Sequence, residues 1–388
     1  MAVSGKSIDR RLVLSAAFGL AASVVARARS AFVRTETSTA SDSPSLDQMI
    51  GEMIVMGFWG SDPTSPGARA ISSWLRDGLV GGVIFFEDNL PSPHAARDFI
   101  EAFREAAGES TPFLCLDQEG GSVARLRPEH GFQPLPAARL VGTFSHRAAE
   151  ALYNRTAREL HRLGFNANLG PVVDLALNPD NPVIEELGRS FGTNPEMVVE
   201  YAKAFIDAHR RNHILTALKH FPGQGSATVD THRSVARITG TWSREELRPF
   251  SELTKGGYAD MVMVGHLVHA DLTEPGRPAS LSSRAVQGLL RTTLAYDGVV
   301  VSDDMQMGAL TRLFLPDDSV FFGIEAGLDL FIYSNRQHPD PQMPARFHRI
   351  VKAAVESDRI PRARIEESVR RLSTLKQSMS VARESRIK

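Results

Sequence analysis

The chain has 388 residues, 42% of them hydrophobic and 23% charged, which predicts a sizeable core and excludes a wholly disordered protein. The formal net charge of −1 gives no global field for nucleic acid or an anionic membrane surface, so neither is an expected partner. The single cysteine, Cys115, cannot form an internal disulfide, and its apolar neighbours predict a buried structural thiol.

The N-terminus has the residue order of an export signal. Lys6, Arg10 and Arg11 precede an apolar or small run from 12 to 25, and Ala26-Arg27-Ala28 offers a small-x-small cleavage pattern. The adjacent arginines resemble a twin-arginine signal, which exports folded proteins. We therefore expect an exported, periplasmic protein without stable membrane insertion. The alternatives are an uncleaved anchor, or a cytoplasmic protein if the signal does not function.

The rest of the chain divides by composition. We predict an export signal over residues 1–28, a Ser/Thr/Ala-rich linker over 29–45, one catalytic domain over 46–380 and a tail over 381–388. The domain opens with a helical pattern formed by four apolar residues, with Ser45 and Gln48 spaced as a capping box. Those apolar residues are Leu46, Ile50, Met53 and Ile54.

Strand-like and helix-like stretches then alternate along the chain. The predicted strands are Gly82–Phe86, Phe113–Asp117, Phe165–Leu169, Ile214–His220, Asp260–Gly265, Gly298–Asp303 and Leu328–Tyr333. Most are short continuous apolar runs, as expected for parallel strands covered on both faces. Helices are predicted over Pro195–Arg211 and Arg284–Leu294, and from Pro361 to the end of the domain. About seven or eight strands in this order predict a single (β/α)₈ TIM-type barrel, possibly irregular in its first strands, with a doubly wound sheet as the alternative.

One predicted strand ends in two adjacent carboxylates, Asp303 and Asp304. Because side chains alternate along a strand, only one of them is expected to face the mouth of a barrel. That carboxylate would be a nucleophile or an electrostatic stabiliser. The alternative is that either residue caps the helix that follows.

A long glycine-bounded loop from Gly223 to Gly240 carries Asp230 and His232. A carboxylate two positions from a histidine on an extended loop can accept the imidazole N–H, and histidine can give and take a proton near neutral pH. Long loops without regular structure are uncommon unless they are functional, and this one is expected to be mobile. The alternative is an ordinary pair on the surface.

Several cations and acids also follow predicted strands. Asp117 ends one strand, Lys219 and His220 end another, and Arg125 and Arg189 lie in the loops. Two arginines, a lysine and a carboxylate would form a cage of hydrogen-bonding groups for sugar hydroxyls and an amide oxygen. Lys219 could instead form a Schiff base, as in an aldolase.

Motifs in a fixed order resemble those of glycoside hydrolase family 3 β-N-acetylhexosaminidases. The matching segments, which span roughly residues 46–378, are Ile50-Gly51-Glu52-Met53, Gly57-Phe58, Asp117-Gln118-Glu119-Gly120-Gly121, Gly170-Pro171-Val172-Val173-Asp174, Asn178-Pro179, Gly188-Arg189-Ser190-Phe191-Gly192, Lys219-His220-Phe221-Pro222-Gly223, Asp230-Thr231-His232 and Ser302-Asp303-Asp304-Met305. The chain departs from the usual pattern at Gln224, where histidine is common, and at Ser122, where arginine is common. These departures leave loop packing and aglycone preference open.

The resemblance implies a role for each candidate residue. Asp303 would be the nucleophile and His232 the acid/base, with Asp230 as its partner. The terminal sugar would be bound by Asp117, Arg125, Arg189, Lys219 and His220. The implied activity is that of a retaining hydrolase, acting as a monomer, which removes N-acetylglucosamine from muropeptides without a cofactor.

Three other functions stay open from the sequence. A related enzyme could act on glucose or xylose, or transfer the sugar to phosphate, because a neutral imidazole repels an anion less than a carboxylate does. A non-catalytic muropeptide-binding protein would use the same residues for binding.

The pair His266 and His269 could suggest a metal site, but no further ligands stand at a convincing spacing, so no metal is expected.

Overall fold

The computed structural model describes residues 44–336 and 338–384. Eight parallel strands form a closed barrel in which each strand lies beside its neighbours in the chain, and the last strand pairs with the first. The strands are β1 (Ile54–Met56), β2 (Gly82–Phe85), β3 (Phe113–Leu116), β4 (Ala167–Asn168), β5 (Leu215–Phe221), β6 (Met261–Val264), β7 (Val299–Asp304) and β8 (Leu330–Tyr333). The predicted (β/α)₈ barrel is confirmed, and the doubly wound alternative is wrong.

Helices cover the outside of the barrel. The α-helices are Leu46–Glu52, Pro66–Arg76, Pro93–Ala107, Ala138–Val141, His146–Leu163, Pro195–Arg210, Arg248–Lys255, Gly308–Thr311, Pro316–Ala326, Met343–Glu356 and Arg362–Glu384, and a π-helix runs over Arg284–Thr293. Short 3₁₀ turns lie at Glu87–Asn89, Pro128–His130, Arg244–Leu247 and Ala279–Leu281. Within the described residues, no helix combines the length and apolar character needed to cross a membrane.

The start of the domain differs from the prediction. The capping box of Ser45 and Gln48 is present, but the first helix ends at Glu52. Ile54 instead begins β1, which pairs with both β2 and β8 and is buried along its whole length. Burial on both faces of a parallel sheet therefore overrides the helical spacing of these apolar residues. The seven other strands lie where the sequence predicts them.

The ends of the chain fall partly outside the described residues. The predicted export signal and almost all of the predicted linker precede residue 44. The last helix continues to Glu384, past the domain boundary predicted at residue 380. The final residues of the predicted tail lie outside the described residues.

The loop from Gly223 to Gly240 is not structureless. Its strand Ala236–Arg237 pairs in parallel with Leu267–Val268, outside the barrel. A small buried cluster, separate from the main core, joins the two segments; its members are Ala227, Ala236, Ile238 and Leu267. The loop is therefore tied to the segment after β6 by its own apolar packing.

Candidate active site

A cavity of about 350 Å³ opens at the carboxyl ends of the barrel strands. The predicted site residues that line it are Asp117, Arg125, Arg189, Lys219, His220, His232 and Asp303. Asp230 lies behind His232, to which it is hydrogen-bonded. The barrel thus brings together residues separated by up to about half of the chain, because the ends of parallel strands converge on one face.

Lys219 lies at the centre of a buried charge cluster. Its Nζ is 2.9 Å from Oδ1 of Asp117 and 2.6 Å from Oε1 of Glu119. Burial alone would lower the pKa of this ammonium, but the two carboxylates outweigh burial and raise it. The amine is therefore held in its charged form, whereas a Schiff-base lysine must be neutral to attack a carbonyl. This geometry argues against the aldolase alternative.

Asp117 also receives a hydrogen bond from the other side. Nη2 of Arg125 lies 3.0 Å from Oδ2 of Asp117. Burial would raise the pKa of Asp117, but Lys219 and Arg125 hold it well below its ordinary value. Asp117 is therefore a fixed anion that orients two cations at the cavity wall.

Arg189 is held by Glu119, a residue to which the sequence assigned no role. The guanidinium makes two parallel bonds of 2.8 Å to the carboxylate, and its Nη1 donates to the carbonyl of Val183. Burial would raise the pKa of Glu119, but Arg189 and Lys219 lower it to about 2. Paired arginine–carboxylate bonds fix orientation as well as charge. Glu119 thus joins two of the predicted sugar-binding cations.

His220 is oriented by a second acid without a predicted role, Asp174. Nδ1 of His220 is 2.7 Å from Oδ2 of Asp174, and Nη2 of Arg189 is 3.3 Å from the Nε2 of the same ring. Because Arg189 can only donate, in the neutral ring Nε2 accepts from it and Nδ1 donates to Asp174. The fully buried Asp174 also accepts from the backbone N–H groups of His220 and Gln224.

The two adjacent carboxylates at the end of β7 have different surroundings. Oδ1 of Asp304 accepts from the backbone N–H groups of Ser334 and Gln306, at 2.9 Å and 3.1 Å. The alternative that either carboxylate caps the next helix is wrong, because the N-cap of Gly308–Thr311 is Met307; Asp304 instead fixes the turn after β7 and the end of β8. Asp303 accepts only the adjacent N–H of Asp304 among the described hydrogen bonds. Both residues line the cavity, which differs from the prediction that only one would face the barrel mouth.

The protonation of Asp303 suits an anionic role. Burial would raise the pKa of this carboxyl, but the imidazoles of His220, His266 and His232, with the N–H of Asp304, lower it below its ordinary value. The pKa of Asp304 is shifted in the opposite direction, because burial raises it. Environments that separate the pKa values of neighbouring acids also separate their roles.

Asp230 and His232 form a pair within the long loop. Oδ1 of Asp230 lies 2.7 Å from Nδ1 of His232 and 2.8 Å from the backbone N of the same residue. This arrangement places a proton on Nδ1 and leaves Nε2 for exchange with another molecule. The imidazole is 55% exposed, so it is accessible from the cavity mouth. The pair is thus more than a surface contact, since His232 lines the same cavity as Asp303.

The two departures from the family pattern have different surroundings. Gln224 is buried, and its Nε2 donates to Oγ1 of Thr231 at 3.1 Å, next to His232. Ser122 is exposed, and its carbonyl accepts from Arg127. Gln224 therefore acts on the packing of the loop, as expected, while the effect of Ser122 on the aglycone stays a prediction.

His266 and His269 serve local structure. Nδ1 of His266 is 2.7 Å from Oγ of Ser280, and its Nε2 is 2.9 Å from the carbonyl of Asp304. Nδ1 of His269 accepts from the backbone N–H of Asp271. Over residues 44–336 and 338–384, no group of three or more His, Cys, Asp or Glu side chains could hold a metal ion.

Cys115 is buried in β3, as predicted.

Aromatic and cationic residues that the sequence did not single out form the rim of the cavity. The guanidinium carbon of Arg336 lies 3.5 Å from the ring centre of Trp59 and 5.1 Å from that of Phe86. Arg125 lies 5.2 Å from the same Phe86 ring. Trp59 is 50% exposed, so an aromatic surface is available beside the cavity. Trp59, Phe86 and Arg336 follow β1, β2 and β8. They come together only because the barrel closes, so the sequence alone does not predict the rim.

Comparisons with known proteins agree with this geometry. Residues 45–375 match the "Glycosyl hydrolase family 3 N terminal domain". The chain is 28% identical to "Beta-hexosaminidase A" of Pseudoalteromonas piscicida over 380 residues, covering 89% of this chain but 63% of that protein. It is 32% identical to "Beta-hexosaminidase" of Xylella fastidiosa (strain M23) over 298 residues, covering 74% of this chain and 84% of that protein.

Two solved structures share the fold. A glycoside hydrolase family 3 β-N-acetylglucosaminidase from Paenibacillus sp. str. FPU-7 has a TM-score of 0.80 at 32% identity, over 87% of this chain and 63% of that one. β-N-acetylhexosaminidase from Beutenbergia cavernae has a TM-score of 0.76 at 28% identity, over 86% and 99%. The chain thus spans just under two thirds of some relatives and nearly all of others. The protein belongs to glycosyl hydrolase family 3.

Proposed function

We propose that this chain is a retaining β-N-acetylhexosaminidase that removes terminal N-acetylglucosamine from peptidoglycan fragments. The observation that carries the proposal is the shared cavity of Asp303 and His232, one a carboxylate kept anionic and the other an imidazole oriented by Asp230. A nucleophile and a proton donor on facing elements are what a double displacement requires. The names of the hexosaminidase relatives support the same sugar.

In the first step, an oxygen of Asp303 attacks the anomeric carbon, and Nε2 of His232 gives its proton to the departing glycosidic oxygen. A covalent glycosyl-enzyme forms, and the aglycone leaves as an alcohol. In the second step, the now neutral imidazole takes a proton from water, which attacks the anomeric carbon and releases Asp303. Asp230 orients the imidazole for both proton transfers.

The remaining polar residues would hold the terminal sugar. Lys219 uses two of its three donors on Asp117 and Glu119, which leaves one N–H for a hydroxyl. Arg125 and Arg189 are fixed by the same two acids, so the cations are oriented before substrate binds. Pre-oriented donors need little reorganisation during the reaction.

We propose that the protein is exported and acts as a monomer on muropeptides. Arg336 is paired with Asp88, and beside it the half-exposed Trp59 offers an aromatic surface to a sugar ring of the aglycone. Cell fractionation of the full chain, with Arg10 and Arg11 both changed to lysine as the matched control, tests export. Analytical ultracentrifugation tests the monomer.

Phosphorolysis is a second candidate, and one observation favours it. The proton-transfer group is an imidazole, which is neutral after the first step and repels an attacking phosphate less than a carboxylate would. Arg233, which follows His232 in the chain and pairs with Asp230, adds an exposed cation to the same loop. Product analysis with and without phosphate separates the two reactions, since only phosphorolysis yields a sugar 1-phosphate.

The direct assay uses an aryl N-acetyl-β-glucosaminide, with the aryl β-glucoside and β-xyloside as comparison substrates. Turnover of the N-acetyl substrate well above that of the other two supports the proposal, and Asp303→Ala should remove the activity. Preferred cleavage of the glucoside or xyloside would instead identify a different glycosidase of the family. Binding of the sugar without turnover by the intact chain would indicate a non-catalytic binding protein.

A further inference from the structure

The loop that carries His232 rests on the segment that follows Asp303. The backbone N–H of Gly308 donates to the carbonyl of His232, and the N–H of Ala309 donates to the carbonyl of Thr231, both at 3.1 Å. Gly308 lies five positions after Asp303, just beyond the end of β7. These two bonds therefore connect the proposed proton donor to the strand that holds the proposed nucleophile.

Gly308 leaves no space for a side chain at this contact. A Cβ there would lie 2.6 Å from the carbonyl oxygen of His232 and 3.0 Å from that of Arg233. Real Cβ atoms essentially never approach other heavy atoms within 3.0 Å. Both neighbours are backbone atoms, so no side-chain rotation can relieve the clash. Any larger residue would push the loop away from β7.

The position of the imidazole relative to the barrel depends on this contact. Asp230, whose carboxylate is hydrogen-bonded to the imidazole of His232, belongs to the same loop and moves with it. Asp230 can therefore orient the ring within the loop, but it cannot set the distance from the ring to Asp303. That distance depends on the contacts that tie the loop to the rest of the barrel, and the bonds from Gly308 and Ala309 are the ones made at His232 and Thr231 themselves.

We infer that Gly308 is a positioning residue for His232: the missing side chain lets the loop approach β7 closely enough for proton transfer to the oxygen that Asp303 displaces. The inference rests on the proposed glycosidase function. Gly308 does not touch the substrate, so its effect should appear only in steps that use the imidazole. General acid–base catalysis typically contributes about 10²- to 10⁴-fold, and small displacements of such groups lose part of it.

The test compares Gly308→Ala with Gly288→Ala. Gly288 lies in the π-helix, and an added Cβ would meet only the carbonyl oxygen of Ser283, at 3.9 Å. Each variant is assayed on aryl N-acetyl-β-glucosaminides with poor and with highly activated leaving groups. For Gly308→Ala, we expect kcat/KM to fall about 10- to 100-fold with the poor leaving group and less than about threefold with the activated one. Gly288→Ala should match the wild type on both.

A double-mutant cycle separates positioning from general damage. If Gly308 acts through the imidazole, His232→Ala/Gly308→Ala should be no slower than His232→Ala alone. Labelling by an activated fluorosugar, which needs no proton donor, reports whether Gly308→Ala keeps a folded site. Equal losses on both leaving groups, additive losses in the cycle, or no loss at all would overturn the inference. An inactive wild type would instead refute the proposed function.

Discussion

Nζ of Lys219 lies 2.6 Å from Oε1 of Glu119, and the same carboxylate makes two bonds to Arg189. Glu119 is therefore the anion that holds two cations together beneath the cavity. All three side chains are almost fully buried. Breaking a buried ion pair by removing one partner costs much more than the pair contributes to stability, because the remaining charge loses its compensation.

The first prediction concerns Glu119→Gln. The neutral amide leaves Lys219 and Arg189 without one negative charge, so we expect the free energy of unfolding to fall by about 3–5 kcal/mol. KM for the N-acetyl substrate should rise, since both cations lose their orientation. Chemical denaturation and steady-state kinetics measure the two effects. Glu366→Gln, which breaks an exposed helix pair with Arg362, is the matched control and should change neither. Equal behaviour of the two variants would contradict this role for Glu119.

The second prediction concerns Glu246, which supports the start of the long loop. Its Oε2 accepts from the backbone N–H of Gly225 at 2.9 Å, and burial raises its pKa from 4.5 to about 7. Between those pH values the folded state keeps a proton that the unfolded state has lost. Stability therefore falls as pH rises through this window, by about 3 kcal/mol from this group.

Glu246→Gln should remove that part of the pH dependence. The amide oxygen can still accept from Gly225, while no proton is lost. Unfolding free energies measured from pH 4.5 to 7 should fall less steeply with pH for the variant than for the wild type. A parallel pair of curves would show that Glu246 is ionised in the folded protein throughout the window.

The third prediction concerns Asp230→Ala. Loss of the 2.7 Å contact frees the imidazole of His232 to rotate away from the orientation that proton transfer requires. We expect kcat/KM to drop about tenfold or more for a poor leaving group and to change little for an activated one. Equal losses on both substrates would assign the pair to loop structure alone.

Short buried strands were predictable because continuous apolar runs bounded by polar residues are typical of a parallel barrel. β1 was missed because three residues directly after a helix continue its apolar spacing, and only pairing with β2 and β8 distinguishes the two. Asp303, His232 and Asp230 could be chosen as candidates because each belongs to a compact motif with its own chemistry, and the structure places them at or beside one cavity.

Other site residues depend on contacts that a linear pattern does not carry. Glu119 and Asp174 each follow an apolar run, a pattern that indicates the end of a barrel strand. Their partners, Arg189 and His220, lie 70 and 46 positions away, so the sequence does not show these contacts. Gly308 has no chemistry of its own, and its importance appears only when the loop is folded against it. The backbone N–H of Ser334, which lies 30 positions from Asp304, gives that carboxylate a structural role that the sequence alone does not show.

We expect Asp303 to become covalently bound to the sugar during turnover. The most direct measurement traps this species with an activated 2-acetamido-2-deoxy-5-fluoroglycoside, followed by proteolysis and mass spectrometry. The account predicts one added sugar on the peptide that contains Asp303, and none in Asp303→Ala. A label on another residue, or normal turnover by Asp303→Ala, would contradict it.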